Sequence, residues 1–526
     1  MKNLPTFDSY VEAVEYHAAQ NAEAPAVHFG GATFTYGELL DRVDLMARSL
    51  VGVGVEPGDR VACLSTPRPE FWTAFLAIMR IGAVYVGLNP AYSRRELIHV
   101  VSDCEASLLL GLGSTLGQER DDDVDHLLQQ VDSLVRAFRL DAGEASDSLR
   151  SNLELLDLAS DVDDELYRSR IEAVTPTDPA AIVYTSGSSG TPKGALLPSF
   201  GLAAAARSGA SLLNLDPPRV PCNLPTNHTG CLVDVCGATL MAGGAIAFME
   251  SFDPEQMLEQ IESLRLKALL HVPTVLQLLA SHPDFENRDL SSIELVSWGG
   301  APMPVDAVRF YRSKGYRLVT VYGMTEIMGN VTYTRADADD VTLATTVGKP
   351  NDEAEVKLVD EDDREVGVEE EGEILYRHRA MMIGYFGNDE ATAAASTDDG
   401  FYRTGDVGVL QADGNLRLVG RRSEMFKSGG LNVYPREVEL VIESMPGVTQ
   451  AAVVSMPDDV YSEVGHAVVV ADGEVDVSTI RVWCRDQLAG YKVPKTYELR
   501  AELPLLAIGK VDKQLLANQW SARAWR

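Results

Sequence analysis

The sequence predicts an α/β protein: a large N-terminal domain built of subdomains with parallel sheets flanked by helices, then a small α+β C-terminal domain. Apolar runs typical of strands alternate with helix-like patterns over the first four-fifths of the chain, which favours βαβ units and a mostly parallel sheet. These runs are apolar throughout, as expected where helices cover both faces of a sheet. Near residue 420 the pattern changes to a compact unit of about a hundred residues, an ordinary domain size. We therefore expect domains at 1–420 and 421–526.

Each domain can be divided into elements in chain order. In the first domain the patterns predict strands at 60–65, 83–87 and 107–110, helices at 70–81 and 93–102, and the same alternation at 268–280 and 293–298. After a boundary segment at 420–430, Pro435 suits the first turn of a helix, whose apolar stripe is formed by Val438, Val441, Ile442 and Met445. The second domain is completed by strands at 451–455, 466–470 and 496–499 and a helix at 478–488.

The charge balance argues against several classes of protein. Lys and Arg number 45 against 78 Asp and Glu, a formal net charge of −33, and such a field repels nucleic-acid backbones and anionic membrane surfaces. The six cysteines lack the two-residue spacing of a zinc or redox motif, which fits a reducing compartment. The most apolar stretch, 71–87, contains Arg80 and is shorter than the ~20 residues of a spanning helix. We expect a soluble cytoplasmic protein without membrane insertion or a nucleic-acid partner.

The strongest local signal is the segment 184–194, YTSGSSGTPKG, which follows an apolar strand. Its glycines allow the backbone to approach a ligand closely, its hydroxyl and N–H groups can surround phosphate oxygens, and Lys193 adds a positive charge. It is not a Walker motif, because Pro192 and Gly194 stand where a glycine and a Ser or Thr belong. Taken alone, the segment could also be a flexible surface turn.

Further motifs follow in order: SWGGAP at 297–302, YGMTE at 322–326, FYRTGD at 401–406, Gly420-Arg421 and LPLLAIGK at 503–510. Together they closely resemble the adenylate-forming superfamily of acyl-CoA synthetases, luciferases and nonribosomal peptide adenylation domains, over essentially the whole chain. The resemblance implies that a carboxylate attacks the α-phosphorus of ATP and expels pyrophosphate, and that the thiol of CoA then attacks the acyl adenylate and expels AMP. It implies ATP, Mg²⁺ and CoA as cofactors. Such chemistry depends mainly on positioning and charge stabilisation.

The resemblance also implies a nucleotide-binding role for residues in each motif. The phosphates would be held by Thr185, Ser186, Gly187, Ser188, Ser189, Gly190 and Lys193. The base and sugar would be contacted by Gly299, Gly300, Ala301, Tyr322, Gly323, Met324, Asp406 and Arg421. Within this set Tyr322 stacks on adenine, and Asp406 accepts hydrogen bonds from the ribose hydroxyls. Thr325 contacts the α-phosphate, Glu326 is the magnesium ligand, and Lys510 is the catalytic lysine that bridges the carboxylate and the α-phosphate.

The CoA side and the acid pocket are assigned in the same way. In similar enzymes the C-terminal domain rotates between the two steps, which implies a mobile domain here. The hinge and the CoA-side loop would comprise Ser423, Lys427, Ser428, Gly429 and Gly430. His228 would gate the pocket, although alone it is as typical of a core histidine. The pocket would be lined by Gly230, Cys231, Val235, Trp298, Gly299 and Gly323. Small apolar lining predicts a hydrophobic acid, aromatic, alicyclic or medium-chain, with ordinary core packing as the alternative.

Two departures from the family pattern leave alternatives open. Ser423 replaces the usual Asp or Lys at the hinge, and Leu506 and Ile508 precede Lys510 where small polar residues are usual. Adenylation could therefore be slow, and one alternative is a ligase that makes the thioester only from a ready-made acyl adenylate. A second alternative is an enzyme that loads a free-standing carrier protein, and a third is a nucleotide-binding scaffold without catalysis. The protein could also form a homodimer.

Overall fold

The computed structural model describes residues 5–143, 149–185, 192–458, 460–471, 473, 475–505 and 511–524. Its largest sheet has seven strands, of which five run parallel and two are antiparallel additions at one edge. In spatial order these strands are Gly384–Tyr385, Lys193–Pro198, Pro179–Thr185, Val84–Leu88, Arg60–Leu64, Leu108–Gly111 and Arg136–Arg139. The carboxyl ends of parallel strands share one edge, where α/β proteins bind ligands.

Two further mixed sheets complete the parallel part of the fold. The first contains Arg219–Cys222, Ala245–Phe248, Pro25–Phe29 and Ala32–Thr35. The second contains Ala268–His271, Leu295–Trp298, Arg317–Met324, Gly329–Tyr333 and Lys349–Pro350. In this second sheet the 3₁₀ turn Thr325–Ile327 sends the chain back antiparallel, so the YGMTE motif lies at the tip of a hairpin. A two-stranded ribbon pairs Ser114–Thr115 with Gln118–Glu119.

The remaining sheets are largely antiparallel. The sequence patterns did not predict the four-stranded sheet of Glu355–Val359, Glu371–Arg377, Tyr402–Leu410 and Leu416–Arg421. The C-terminal sheet contains Leu431–Val433, Phe426–Ser428, Ser462–Ala471, Val448–Asp458 and Thr496–Arg500, the last running parallel to its neighbour. The short turn Arg422–Glu424 joins the two sheets, which agrees with a domain boundary near residue 420; the bounds 1–420 and 421–526 stay predictions.

Helices pack on these sheets and begin where the sequence supplies caps. Thr35 and Ser93 each form a reciprocal capping box with the glutamate three residues later. The α-helices are Tyr10–Gln20, Tyr36–Gly52, Pro69–Arg80, Arg94–Asp103, Asp121–Gln130, Asn152–Asp157, Asp164–Ala173, Ser199–Leu213, Ala238–Met241, Pro254–Leu264, Pro273–Ala280, Val305–Ser313, Asp340–Thr345, Asp389–Ala394, Pro435–Glu443, Val477–Gln487 and Lys513–Ala524. Leu158–Asp161 is a further 3₁₀ turn, and Gly230–Gly237 is a π-helix.

The predicted fold class is confirmed. Most predicted elements shift by only a residue or two at their ends, whereas the strands predicted at 451–455 and 466–470 extend to Val448–Asp458 and Ser462–Ala471. The apolar stretch of the sequence forms helix Pro69–Arg80, which is buried on almost every side. Its Trp72 stacks on Phe75 with ring centres 5.4 Å apart, so this segment is the central helix of the core. Among the described residues, no helix combines the length and the apolar character that crossing a membrane requires.

Candidate active site

The phosphate side of the predicted site is built on a β-hairpin of the seven-stranded sheet. Thr185 ends one strand, Lys193 begins the next, and the two residues are register partners. The Thr185 hydroxyl donates a hydrogen bond of 3.0 Å to Glu326 Oε1. The Lys193 ammonium lies 5.4 Å from the centre of the Tyr385 ring. The predicted phosphate ligands between them, Ser186, Gly187, Ser188, Ser189 and Gly190, lie outside the described residues.

Glu326 is held by hydrogen bonds to one of its two carboxylate oxygens. It lies with Thr325 in the buried turn after strand Arg317–Met324. The Tyr385 hydroxyl donates to the same Oε1 atom at 3.1 Å and lies 3.2 Å from the Tyr402 hydroxyl. Burial and the Glu326 carboxylate raise the pKa of Tyr385, so this hydroxyl keeps its proton. In the part of the chain that is described, no hydrogen bond reaches Glu326 Oε2.

The predicted ribose side is a chain of three polar side chains. The Tyr322 hydroxyl donates to Asp406 Oδ2 at 2.7 Å, and Arg421 Nε lies 2.9 Å from Asp406 Oδ1. Asp406 and Arg421 are register partners on adjacent antiparallel strands, so the β-pairing itself brings the charges together. Asp406 is only 6% exposed, and a buried carboxylate of this kind requires such partners. Burial, followed by the Asp406 charge, raises the pKa of Tyr322 well above its usual value.

Glycine is required at the predicted base-binding wall because the backbones approach closely. A Cβ at Gly323 would lie 1.7 Å from the Gly329 carbonyl oxygen, which excludes any side chain there. A Cβ at Gly299 would lie 2.8 Å from Val321 Cγ2. Gly300 has φ +78°, in the left-handed region that favours glycine. Gly300 and Ala301 are exposed, so their backbone is open to a ligand, while Met324 is half-buried.

The predicted acid side is only partly open. His228 is exposed, and its Nδ1 accepts a hydrogen bond of 2.9 Å from the Gly230 backbone. Gly230 begins the π-helix, in which Cys231 and Val235 are buried. Cys231 Sγ lies 3.7 Å from Cys222 Sγ and 3.9 Å from Cys236 Sγ, so this thiol packs in the core. The side chain of Trp298 is also buried, at 1% exposure. The structure therefore places the exposed histidine at this side and the three larger lining candidates in packed core.

The contacts described above join motifs that are far apart in the chain. Comparison with known proteins shows which family carries these motifs. A family model described as "AMP-binding enzyme" matches residues 14–386, and one described as "AMP-binding enzyme C-terminal domain" matches residues 437–510. The chain belongs to the AMP-binding enzyme family. Its curated relatives are acyl-CoA ligases, so the predicted acyl-CoA synthetase branch is confirmed.

Three known proteins illustrate what this AMP-binding enzyme is similar to. Feruloyl-CoA synthase from an Amycolatopsis species is 36% identical over 507 residues, which cover 94% of this chain and 96% of the relative. A 3-[(3aS,4S,7aS)-7a-methyl-1,5-dioxo-octahydro-1H-inden-4-yl]propanoyl:CoA ligase from Mycobacterium tuberculosis is 35% identical and covers 92% and 93%. The crystal structure of ATP-bound MatB from Rhodopseudomonas palustris aligns with TM-score 0.86 at 29% identity, covering 97% of this chain and 99% of that one.

The predicted hinge and CoA-side loop of this AMP-binding enzyme lie next to each other. Ser423 is exposed in the turn Arg422–Glu424, and Lys427 is exposed on the following strand. Ser428 is buried, and its hydroxyl has no hydrogen-bond partner among the described residues. Gly429 and Gly430 have φ of +60° and +84°, which gives the tight turn that glycine favours. The segment with Leu506, Ile508 and Lys510 lies outside the described residues.

Sequence motifs did not point to three polar side chains at or near these contacts. Tyr385 and Tyr402 complete the network around Glu326, and neither had been assigned a role. Asp234 lies within the π-helix and accepts a hydrogen bond of 3.1 Å from the Asn330 backbone. The signal for Asp234 was visible, because it is the one charged residue of the apolar run GCLVDVCGATLM. The others become visible only when the strands are assembled.

Proposed function

We propose that this AMP-binding enzyme activates an aromatic or alicyclic carboxylic acid with ATP and transfers the acyl group to the thiol of CoA, releasing AMP. It is an acid–thiol ligase, as its relatives are. Two hydrogen-bonded networks that join distant motifs across separate sheets carry the proposal: Thr185 with Glu326, and Tyr322 with Asp406 and Arg421. The ring-bearing acids in the names of two relatives, feruloyl and octahydroindenyl propanoyl, support the substrate class.

The ribose-side residues have a role that follows from their partners. Asp406 is buried and has Arg421 and Tyr322 on its two oxygens, so its lone pairs point in fixed directions. A carboxylate fixed in this way accepts hydrogen bonds from ribose hydroxyls at little entropic cost. Arg421 keeps nearly half of its side chain exposed and can donate to the same sugar. The nucleotide is thereby oriented before the reaction begins.

The residues around Glu326 fit a magnesium ion. The carboxylate is fixed through Oε1 by Thr185 and Tyr385, and Oε2 is the available oxygen. Mg²⁺ prefers one or two carboxylates together with phosphate oxygens, and when bound it would neutralise phosphate charge. Lys193 at the hairpin and Thr325 on the adjacent turn lie where they could hold phosphate oxygens. Because this positive charge is already in place, the site need not reorganise when negative charge develops on the phosphate oxygens in the transition state.

The two half-reactions are assigned to the two poses of the C-terminal domain. We propose that Lys510 serves adenylation and that the loop with Ser428, Gly429 and Gly430 lines the path of CoA, on the strength of the sequence resemblance. The adjacent left-handed glycines give this loop the small cross-section that a narrow thiol path needs. Six free thiols, all buried, support a reducing compartment, and we propose the cytoplasm.

The test separates the two half-reactions. Wild type and Lys510→Ala are incubated with ring-bearing acids, ATP, magnesium and CoA, and separately with ready-made acyl adenylates and CoA. We expect wild type to make thioester in both assays and Lys510→Ala to make it only from the adenylate. Absence of thioester and AMP from wild type with every acid and adenylate would refute the proposal.

The same assay decides between the alternatives. Wild type that works only from adenylates would be a thioester-forming enzyme, to which the exposed neutral Ser423 at the hinge gives some support. Rapid ATP–pyrophosphate exchange without CoA thioester would favour loading of a free-standing carrier protein. Light scattering of the purified protein tests the predicted homodimer.

A further inference from the structure

One ionisable residue near the acid side has no role in the reaction described above. Asp234 lies in the π-helix Gly230–Gly237 between Val233 and Val235, which are both buried. Asp234 itself is only partly buried, although its carboxyl is far enough from bulk water for burial to raise its pKa to about 7. The side chain therefore combines a desolvated carboxyl with some accessible surface. π-Helical turns inside proteins are frequent at functional sites.

The Asp234 carboxylate is only half satisfied by the protein. Its Oδ1 accepts a hydrogen bond of 3.1 Å from the Asn330 backbone N–H. Within the described ranges, no hydrogen bond reaches Oδ2 and no Lys, Arg or His lies within ion-pair distance. A desolvated acceptor without a partner costs free energy, and an unpaired buried carboxyl costs more. A ligand that donates a hydrogen bond to Oδ2 would remove this cost.

Asp234 lies next to glycines of the predicted acid pocket. A Cβ at Gly329 would lie 2.8 Å from Asp234 Oδ1, and one at Gly323 would lie 2.7 Å from Asn330 Cα. A Cβ at Gly299 would lie 3.9 Å from Asn330 Oδ1. The two glycines predicted to line the acid pocket therefore meet at Asn330, the residue that holds Asp234.

We propose that Asp234, in its ionised form, accepts at Oδ2 a hydrogen bond from an O–H or N–H group on the body of the substrate acid, and so selects acids that carry such a donor. This inference rests on the proposed function. A site built around a buried acceptor rejects the analogue that lacks the donor, because the acceptor is then desolvated without compensation. The carboxyl group of the substrate, which reacts with ATP, is not involved in this contact.

Matched acids and a matched variant test this role at pH 8, where the Asp234 carboxyl is mostly ionised. The acids are cinnamic acid and its 2-, 3- and 4-hydroxy derivatives, together with indole-3-acetic acid and its N-methyl derivative. Asp234→Asn is the decisive variant, because its amide oxygen still accepts from the Asn330 N–H while a donor replaces Oδ2. Asp337→Asn, at an exposed aspartate paired with Arg335, is the control.

For wild type we expect at least one hydroxy or N–H acid to exceed its donor-free partner in kcat/KM by on the order of 100-fold, mainly through KM. In Asp234→Asn the preference should fall below about threefold, through loss of the donor-bearing acid only. Asp337→Asn should retain the full preference. Equal ratios in wild type and Asp234→Asn would overturn the inference and leave Asp234 with a structural role at Asn330.

Two further measurements keep the test decisive. Turnover of unsubstituted cinnamic acid and a single cooperative melting transition show that Asp234→Asn is folded. Equilibrium binding of the same acid pairs without ATP reports the selectivity even if no thioester forms. Failure of the proposed function would appear as binding without turnover, whereas equal affinity of wild type for every pair would overturn the role of Asp234.

Discussion

The nucleotide side and the acid side of this AMP-binding enzyme differ in how completely their polar groups are paired. On the nucleotide side both oxygens of Asp406 are occupied, and Glu326 is fixed by two hydroxyls. On the acid side Asp234 has one backbone partner, and within the described part of the chain no hydrogen bond reaches its second oxygen. Under the proposed roles, the difference teaches that the groups acting on the nucleotide are paired by the protein in advance, while the group proposed to select the acid is completed by the acid itself.

The largest expected effect tests the organised side directly. In Glu326→Gln the amide oxygen still accepts from Thr185 and Tyr385, but the charge that would hold magnesium is lost. We expect kcat/KM for pyrophosphate release to fall by about 10²–10³, with much less effect on thioester formation from a ready-made adenylate. Glu361→Gln, at an exposed residue, is the control, and a loss below about threefold would contradict the role of Glu326.

A second change tests the close backbone approach between the two sides. In Gly323→Ala the new Cβ would lie 1.7 Å from the Gly329 carbonyl, so the hairpin must open. We expect a loss of about 2–4 kcal/mol in the free energy of unfolding, measured by denaturant titration. Gly209→Ala is the matched control, because its Cβ would contact only Ala238 Cβ at 3.4 Å in a helix, and a change within about 0.5 kcal/mol is expected there. Equal stability of the two variants would contradict this account.

A third pair of changes compares the contribution of the Asp406 charge with that of the Tyr322 hydroxyl on the ribose side. Asp406→Asn weakens the ion pair with Arg421 and the acceptor for Tyr322, and we expect KM for ATP to rise by about 10–100-fold. Tyr322→Phe removes one hydroxyl and keeps the ring, so its effect should be about tenfold or less. Steady-state kinetics at saturating acid and CoA provide both values. A larger effect from Tyr322→Phe than from Asp406→Asn would reverse the assigned order of importance.

The smallest effect concerns the pH dependence of stability on the acid side. The pKa of Asp234 is raised to about 7 in the folded protein, so the folded state holds a proton that the unfolded state releases near pH 4. Asp234 therefore costs stability as pH rises from about 4 to 7, and the full cost remains above pH 7. Burial raises the pKa of Tyr10 and Tyr333, both near Asp234, so they stay neutral over this range.

We accordingly expect Asp234→Asn to be more stable than wild type at pH 8 by about 2 kcal/mol, since water entry relieves part of the cost of the buried charge. At pH 5, where only about a third of this cost is present, the difference should be correspondingly smaller. Denaturant titrations from pH 5 to 8 measure the difference. A difference that does not change with pH would show that Asp234 keeps an ordinary pKa.

The sequence predicted the elements around the parallel sheets because their patterns are local. Helix Pro69–Arg80 and strand Arg60–Leu64 lie within a residue or two of their predicted positions, since apolar periodicity and a proline at the first turn determine them. The antiparallel sheet of 355–421 was not predicted, because its strands alternate weakly and include acidic turns. Cys231 and Val235 were expected at the pocket, yet their side chains pack in the core, and both sides of a helix look equally apolar in this sequence.

By itself, the sequence determined the family and the reaction class, because each motif is a short run whose backbone and side chains act together; the phosphate, metal and ribose roles that it predicts remain proposals. Only the tertiary structure decided how those runs meet. Tyr385 and Thr185 reach Glu326, and Tyr322 reaches Asp406, across separate strands. The environment of Asp234 also depends on the fold. Its hydrogen-bond donor, the Asn330 N–H, lies on a strand almost a hundred residues away in the chain, and burial raises the pKa of its carboxyl. Hydrogen bonding and desolvation depend on distance in space, which linear spacing does not contain.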